Sequence, residues 1–246
     1  MTNAFDRLLT GFKNFQATYY EGTSDLYRRL ASEGQAPKVM IVGCSDSRVD
    51  PAIITHSRPG DLFIVRNVAA IVPPYEPDGN VKGTSSAIEF AVRGLEVEHI
   101  IVLGHALCGG VRALGAPEAA TAKFEFVRNW VRAASSAREA VDHACSHRSP
   151  DERERLLEQA TILVSMRNLM GFPWIAERVR QRKLTLHGWY FDLIVGHLFA
   201  HDMRTGKFLP IEADPEPLCR KPEACAPDCD CERRYDVTKF CSAQQE

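Results

Sequence analysis

The sequence lacks a long apolar run, an excess of charge of one sign and a recognisable leader segment. Its longest apolar runs are about half of the length that a membrane span requires. Thirty basic and 32 acidic side chains leave a formal net charge of −2, which predicts no surface for nucleic acid. The first 30 residues contain many charges and no long apolar block, unlike a secretory signal. We therefore expect a cytoplasmic protein that binds neither membranes nor nucleic acid.

Cysteine is sparse over most of the chain and concentrated at its end. Only three cysteines precede residue 218, namely Cys44, Cys108 and Cys145. The other five lie in a proline-rich, charged segment with few large apolar residues: Cys219, Cys225, Cys229, Cys231 and Cys241. We predict that residues 213–246 form a tail without a hydrophobic core of its own. Its thiols leave several roles open, namely free or disulfide-forming thiols, a second, structural metal site, a redox switch or a docking segment.

The rest of the chain shows the pattern of an α/β protein. Apolar residues at helical spacing predict two amphipathic helices at 3–20 and 24–33, which together form an N-terminal helical arm over residues 1–34. Short continuous apolar runs at 39–43, 62–65 and 100–104 are typical of strands buried on both faces. A helix predicted at 85–95 separates two of them, so right-handed crossovers and a mostly parallel sheet are expected.

The second half of the chain continues this pattern and ends in strands. Helices are predicted at 124–147 and 151–183, and the second should break at Gly171–Pro173. Strands are predicted at 184–194, 197–202 and 207–211. We therefore expect a central, mostly parallel sheet flanked by helices, with C-terminal strands, in one α/β domain over residues 35–212.

Two of the predicted buried strands end in residues that bind metals. The first strand leads to Cys44, and the third leads to His105 and Cys108. Ligands in an open parallel sheet bind beyond the carboxyl ends of the strands, so these side chains meet there if the strands are neighbours. Two thiolates and one imidazole suit Zn²⁺, and three protein ligands leave a coordination position open, as in catalytic sites. Alternatively, each cysteine is only a small buried apolar residue.

Asp46 and Arg48 lie two residues apart just after the first of these strands. In an extended segment they share a side, and arginine holds a carboxylate through two parallel hydrogen bonds. A carboxylate fixed there has two possible roles: it accepts a hydrogen bond from a zinc-bound hydroxide, or it rotates to become a fourth zinc ligand. The alternative is an ordinary surface ion pair of under about 1 kcal/mol.

These motifs resemble those of the β-class carbonic anhydrases over roughly residues 30–212. The matching stretches keep their order and spacing: Cys44-Ser-Asp-Ser-Arg-Val49, Gly60-Asp-Leu-Phe-Ile-Val-Arg-Asn-Val-Ala69, Ile88-Glu-Phe-Ala-Val92 and His105-x-x-Cys-Gly-Gly110. The resemblance implies one zinc per chain on Cys44, His105 and Cys108, with Asp46 and Arg48 as catalytic partners. It also implies a homodimer or a larger even-numbered homo-oligomer, in which the N-terminal helices wrap the partner subunit.

The resemblance also implies a substrate pocket, and it is closest to the plant-type subgroup. Gln35 stands where this subgroup has a pocket glutamine, and Ile41 stands where bicarbonate-inhibited members have tryptophan. The implied pocket residues are Gln35, Phe63, Val68, Phe90 and Gly109. Phe90 replaces a tyrosine and Ala106 a serine or threonine that are common in the family. No proton shuttle is evident; the candidates are His56, His187, His197 and His201.

The activity implied by the resemblance is the zinc-dependent, reversible hydration of carbon dioxide to bicarbonate and a proton through zinc-bound hydroxide. Hydrolysis of carbonyl sulfide or carbon disulfide on the same site is an alternative, because relatives in the superfamily perform it. A second alternative is a non-enzymatic protein that responds to zinc or bicarbonate through its tail. The Asp46–Arg48 pair and the open coordination position argue against the second, because a purely structural zinc site needs neither.

Overall fold

The computed structural model describes residues 3–21 and 25–211, which form a six-stranded sheet with helices around it. The strands are β1 (Val39–Cys44), β2 (Leu62–Asn67), β3 (His99–His105), β4 (Thr185–Asp192), β5 (His197–Asp202) and β6 (Lys207–Pro210). The helices are α1 (Ala4–Gln16), α2 (Leu26–Glu33), α3 (Pro51–Ile54), α4 (Gly83–Glu89), α5 (Gly109–Gly115), α6 (Glu125–Val131), α7 (Ser135–Ala144), α8 (Pro150–Met170) and α9 (Pro173–Arg180). The predicted α/β class is confirmed. The predicted tail, residues 213–246, lies outside the described residues.

The sheet order is β2-β1-β3-β4-β5-β6, and its first four strands are parallel. The β4–β5 and β5–β6 pairs are antiparallel. The sheet is therefore mostly parallel, as the sequence predicts. In the register, Cys44 pairs with Asn67 and His105 with Phe191. The carboxyl ends of β1 and β3 therefore meet at the same edge of the sheet.

One face of the sheet carries most of the core, and α8 packs against it. This helix begins with a capping box, in which Ser149 and Glu152 bond each other's backbone N–H groups, and with Pro150 in its first turn. It ends at Gly171, and α9 starts at Pro173, so the predicted break is present. The other face has a smaller buried cluster of Ile41, Ile101 and Leu103.

Two helical segments differ from the sequence prediction. The helix predicted at 124–147 is divided into α6 and α7 by a 3₁₀ turn at Arg132–Ala134. Ser135 and Ser136 follow this turn, and serine weakens helix interiors because its hydroxyl competes for backbone hydrogen bonds. The helix predicted at 85–95 starts earlier as α4 and changes to a π-helical turn at Phe90–Gly94.

In the N-terminal arm, no residue of α1 or α2 is buried. Its aromatic rings contact one another, with Phe15 and Tyr27 centroids 5.0 Å apart. Leu30 joins the arm to the body, because its Cδ2 lies 2.8 Å from where a Cβ on Gly60 would stand. Four apolar side chains of α1 are 48–73% exposed: Phe5, Leu8, Leu9 and Phe12. In the described part of the chain, no helix is long and apolar enough to cross a membrane.

Candidate metal centre

Three potential ligands come together at the edge where β1 and β3 end. Cys44 is the last residue of β1, His105 is the last residue of β3, and Cys108 precedes α5. All three are buried, and their ligand atoms lie within 4.8 Å of one another. The two Sγ atoms are 3.9 Å apart. The structure thus brings together the three residues that the sequence proposes as zinc ligands.

A single hydrogen bond orients the His105 ring. Its Nδ1 lies 2.8 Å from the carbonyl oxygen of Ala106, which can only accept, so Nδ1 carries the proton. Nε2 then bears the lone pair, and it is buried without a hydrogen-bond partner among the described residues. A buried nitrogen lone pair beside two sulfurs is the donor set that zinc prefers. The residues present therefore fit a zinc ion.

The two thiols differ in pKa. Hydrogen bonding from Cys108 lowers the pKa of Cys44, and the backbone N–H groups of Asp46 and Ala69 act in the same direction. The Cys44 sulfur, together with burial, raises the pKa of Cys108. The site thus already favours one thiolate, which is the form that binds metal.

The turn between His105 and α5 is held at each successive residue. Ala106 N–H donates to the Phe191 carbonyl at 2.9 Å, and Arg48 Nη2 donates to the Leu107 carbonyl at 3.2 Å. Leu107 itself has a positive φ of 58°, which is unusual for a non-glycine residue. Cys108 N–H donates to Oε1 of Glu158 at 3.1 Å. These contacts fix the direction in which Cys108 enters the site.

Asp46 and Arg48 form a bidentate ion pair beside the ligands. Arg48 Nε donates to Oδ1 at 2.9 Å and Nη2 to Oδ2 at 2.7 Å, while the Arg48 backbone N–H also donates to Oδ1. This hydrogen bonding holds the pKa of Asp46 well below its usual range. Both carboxylate oxygens bind Arg48 in this arrangement. The role of Asp46 as a fourth zinc ligand therefore stays a prediction.

The structure separates the predicted pocket residues into two groups. Val68 lies at the metal edge, where its Cγ1 is 2.6 Å from the position of a Cβ on Gly110, so this close approach requires glycine. Gly109 begins α5 at the same edge. Phe63, by contrast, pairs with Met40, four residues before the level of Cys44, which is about 13 Å along a strand.

Phe90 contacts Phe63, and Gln35 precedes β1, at the opposite end of that strand from Cys44. The rings of Phe63 and Phe90 are 5.8 Å apart, and Phe90 is 53% exposed. Gln35 is exposed and precedes β1 at the amino end of the sheet. Within one chain, these three residues do not line the space around Cys44, His105 and Cys108.

Two residues near the centre were not predicted from the sequence. Glu158 of α8 is 3% exposed; its Oε2 accepts a hydrogen bond of 2.8 Å from Tyr190, and burial raises its pKa. Arg66 donates to the backbone carbonyls of Cys44 and Asp46, at 2.9 and 2.6 Å. The available signal was an acidic residue next to Leu156 and Leu157 in the middle of a long helix.

None of the four histidines considered as proton shuttles belongs to the ligand cluster of the described residues. Burial lowers the pKa of both His187 and His201 to about 4, so each is neutral at pH 7 and a weak proton acceptor. His187 also contacts His99, with 3.1 Å between ring nitrogens. His56 and His197 are exposed, and the shuttle stays unassigned.

Comparison with known proteins gives a family for this fold. The family model for carbonic anhydrase matches residues 39–198. The chain is 39% identical over 193 residues to β carbonic anhydrase 5, chloroplastic, of Arabidopsis thaliana; the match covers 78% of this chain and 63% of that relative. The chain thus spans less than two thirds of that relative's length.

Solved structures give the same result. The β-carbonic anhydrase CcaA matches with a TM-score of 0.79 and 33% identity, over 85% of this chain and 92% of that one. A tetrameric β-carbonic anhydrase from Sordaria macrospora matches with a TM-score of 0.69 and 28% identity, over 81% of this chain and 97% of that one. With its α/β sheet and its cluster of two cysteines and one histidine, the chain belongs to the β-carbonic anhydrase family.

Proposed function

We propose that the protein catalyses the reversible hydration of carbon dioxide to bicarbonate and a proton, with one zinc ion per chain on Cys44, His105 and Cys108. The observation that carries this proposal is the buried His105 Nε2, without a partner among the described residues, beside two sulfurs 3.9 Å apart. Two thiolates balance the charge of a divalent cation. When bound, zinc supplies Lewis acidity that makes water nucleophilic near neutral pH.

Asp46 has the role of holding the attacking water in one orientation. Arg48 donates twice to Oδ1, through its backbone N–H and Nε, and once to Oδ2, through Nη2, and it keeps the group ionised. The remaining lone pair on Oδ2 accepts a hydrogen bond from the water, so that the water's oxygen lone pair faces the substrate carbon. In this proposal the Gly109 N–H, at the start of α5, donates to a substrate oxygen as charge develops.

The apolar part of the pocket requires a second copy of the chain in this proposal. Among the predicted pocket residues, Val68 lies at the metal edge, whereas Phe63 lies four strand positions before the level of Cys44 with its ring against Phe90. Gln35 precedes β1, at the opposite end of that strand from Cys44. Phe90 is half exposed, and α1 presents an apolar face without cover from the described residues. We propose a homodimer, or a larger even-numbered oligomer, in which the partner supplies these three residues.

A stopped-flow assay of carbon dioxide hydration, with zinc measured on the same sample, tests the function. We expect rapid hydration that scales with one zinc per chain and is lost in Cys108→Ala, which removes a ligand. A zinc-loaded parent protein that does not hydrate carbon dioxide would contradict the proposal. Assays of sulfide release from carbonyl sulfide and carbon disulfide decide the hydrolase alternative, and zinc binding with no activity on any of the three indicates a binding protein.

The tail and the location of the protein stay predictions. A count of two zinc ions per chain would point to the tail cysteines as a second site, because the described residues contain one cluster of suitable ligands. A cytoplasmic location is tested by fractionation of cells that produce the full chain.

A further inference from the structure

A buried carboxyl group joins three elements behind the metal centre. Glu158 lies on α8, which packs against β3 and β4. Its Oε1 accepts the Cys108 N–H at 3.1 Å, and its Oε2 accepts the Tyr190 hydroxyl at 2.8 Å. Tyr190 is itself fully buried on β4. Glu158 therefore connects the turn that carries Cys108 to the helix layer and to the sheet.

We propose that Glu158 is a positioning residue of the metal centre: it holds the backbone of Cys108 and so fixes Cys108 Sγ toward Cys44 and His105. The inference deepens the proposed function, because it rests on the zinc site, but it does not depend on the substrate. Glu158 does not bind the metal or the substrate in this proposal. It acts only through the Cys108 backbone.

The turn needs such an acceptor because no strand or helix provides one. Cys108 stands after Leu107, whose positive φ turns the chain sharply away from β3. Its N–H points into the protein, and among residues 3–21 and 25–211 the acceptor found for it is Glu158. A buried N–H without an acceptor costs roughly 1–3 kcal/mol, so its loss would favour another conformation of the turn.

Tyr190 sets the orientation of the carboxyl group in turn. Its hydroxyl binds one oxygen, which leaves the other directed at Cys108. The contact matters for the metal because the Cα of Cys108 is one bond from the held nitrogen, and a rotation there moves Sγ. Residues that support metal ligands in this way typically change metal affinity by about 10–100-fold when they are replaced.

The test measures the rate at which the zinc-loaded protein gives up its metal to a coloured chelator. Glu158→Met keeps the length of the side chain and removes the acceptor, so we expect about 10–100-fold faster release. Glu158→Gln retains an amide oxygen for the Cys108 N–H and should release zinc at a rate close to that of the parent. The absorption of the cobalt-substituted proteins should report a changed cysteine–metal bond in Glu158→Met only.

Thr161→Val is the matched control. Thr161 is buried on the same helix, one turn further along, and its hydroxyl binds only the Leu157 carbonyl of that helix. Release from Glu158→Met that is no faster than from Thr161→Val would overturn the proposal. Equal release from the Gln and Met variants would overturn it as well, because the acceptor would then not be the cause.

Tyr190→Phe decides the matter if Glu158→Met does not fold. It frees one carboxyl oxygen and leaves the other, so faster zinc release supports the proposal and release at the parent rate contradicts it. The two proposals fail separately. A parent protein that never retains zinc contradicts the proposed function, whereas a parent and variants that all retain zinc equally contradict only the role of Glu158.

Discussion

Asp46 illustrates how one neighbour decides the chemistry of a side chain. The pKa of its carboxyl group is held low by the Arg48 guanidinium, which donates to both of its oxygens. The group is therefore ionised at neutral pH and acts as a hydrogen-bond acceptor. Its position beside Cys44 places this acceptor at the metal edge.

Asp46→Ala is expected to retain zinc and lose hydration activity by roughly 10²–10⁴-fold, the usual contribution of a positioned proton acceptor. Stopped-flow hydration and zinc analysis on the same preparation check both parts. Asp61→Ala is the control, because Asp61 forms a longer, more exposed ion pair with Arg58, 3.7 Å apart, just before the amino end of β2. Parent-level activity in Asp46→Ala would show that the acceptor role is wrong.

His201 predicts a dependence of stability on pH. Burial lowers its pKa to about 4, although Asp202 opposes the shift, whereas an unfolded chain has a histidine pKa of about 6.5. Between these values the unfolded state binds more protons, so the free energy of unfolding decreases as the pH falls from about 6.5 to 4. One such group contributes up to about 1.4 kcal/mol per pH unit.

His201→Phe should remove this contribution. Urea unfolding of the parent and the variant from pH 7 to pH 4.5 measures it as the difference between their slopes, since all other titrating groups are shared. Parallel curves would mean that His201 is protonated in the folded protein.

At the scale of elements, the contact between β3 and α8 supports the metal edge. A Cβ on Gly104 would lie 2.7 Å from both Cδ1 and Cγ1 of Ile162, so the helix approaches the strand only because residue 104 is glycine. Gly104 precedes the ligand His105. The packing of α8 therefore acts directly on the end of the strand that carries a ligand.

Gly104→Ala should lower the free energy of unfolding by about 1–3 kcal/mol, because the added methyl group overpacks this contact. A double-mutant cycle with Ile162→Ala, measured by denaturant unfolding, should show that the two changes together cost less than their sum. Gly11→Ala is the control, since nothing lies within 4 Å of that site on α1. Additive effects of the two core substitutions would contradict the steric explanation.

The elements also show what the sequence could and could not predict. Apolar runs located β1, β2 and β3, and Gly171–Pro173 located the break after α8, because these signals are local. The three ligands followed from their places at strand ends. The contact of Glu158 with Cys108 spans 50 residues, and the separation of Phe63 from the ligands depends on strand register. Neither leaves a local pattern.

For the whole molecule, the arm is the main feature that a single chain does not explain. Four large apolar side chains of α1 face away from the described core, and α2 contacts the body through Leu30. Exposed apolar patches of this kind commonly mark an interface. In the proposed oligomer, a second copy of the chain covers α1.

Replacement of Leu8 and Phe12 by serine should shift the protein toward smaller assemblies, because it removes apolar area from the proposed interface. Sedimentation equilibrium of the parent and the Leu8→Ser/Phe12→Ser variant measures the change. Lys13→Ser, on the same exposed helix, serves as the control and should leave the assembly unchanged. A monomeric parent, or equal masses for the parent and the double variant, would contradict the proposed oligomer.

The order of the strands also determines when the metal centre can form. Cys44 and Cys108 are separated by 64 residues, and the turn before Cys108 is tied to Phe191 on β4 through the Ala106 N–H. A growing chain on the ribosome therefore contains both thiols long before the hydrogen bond from Ala106 to Phe191 can form. In the proposed function, zinc would therefore bind late, after residue 191 has emerged and β4 has paired with β3.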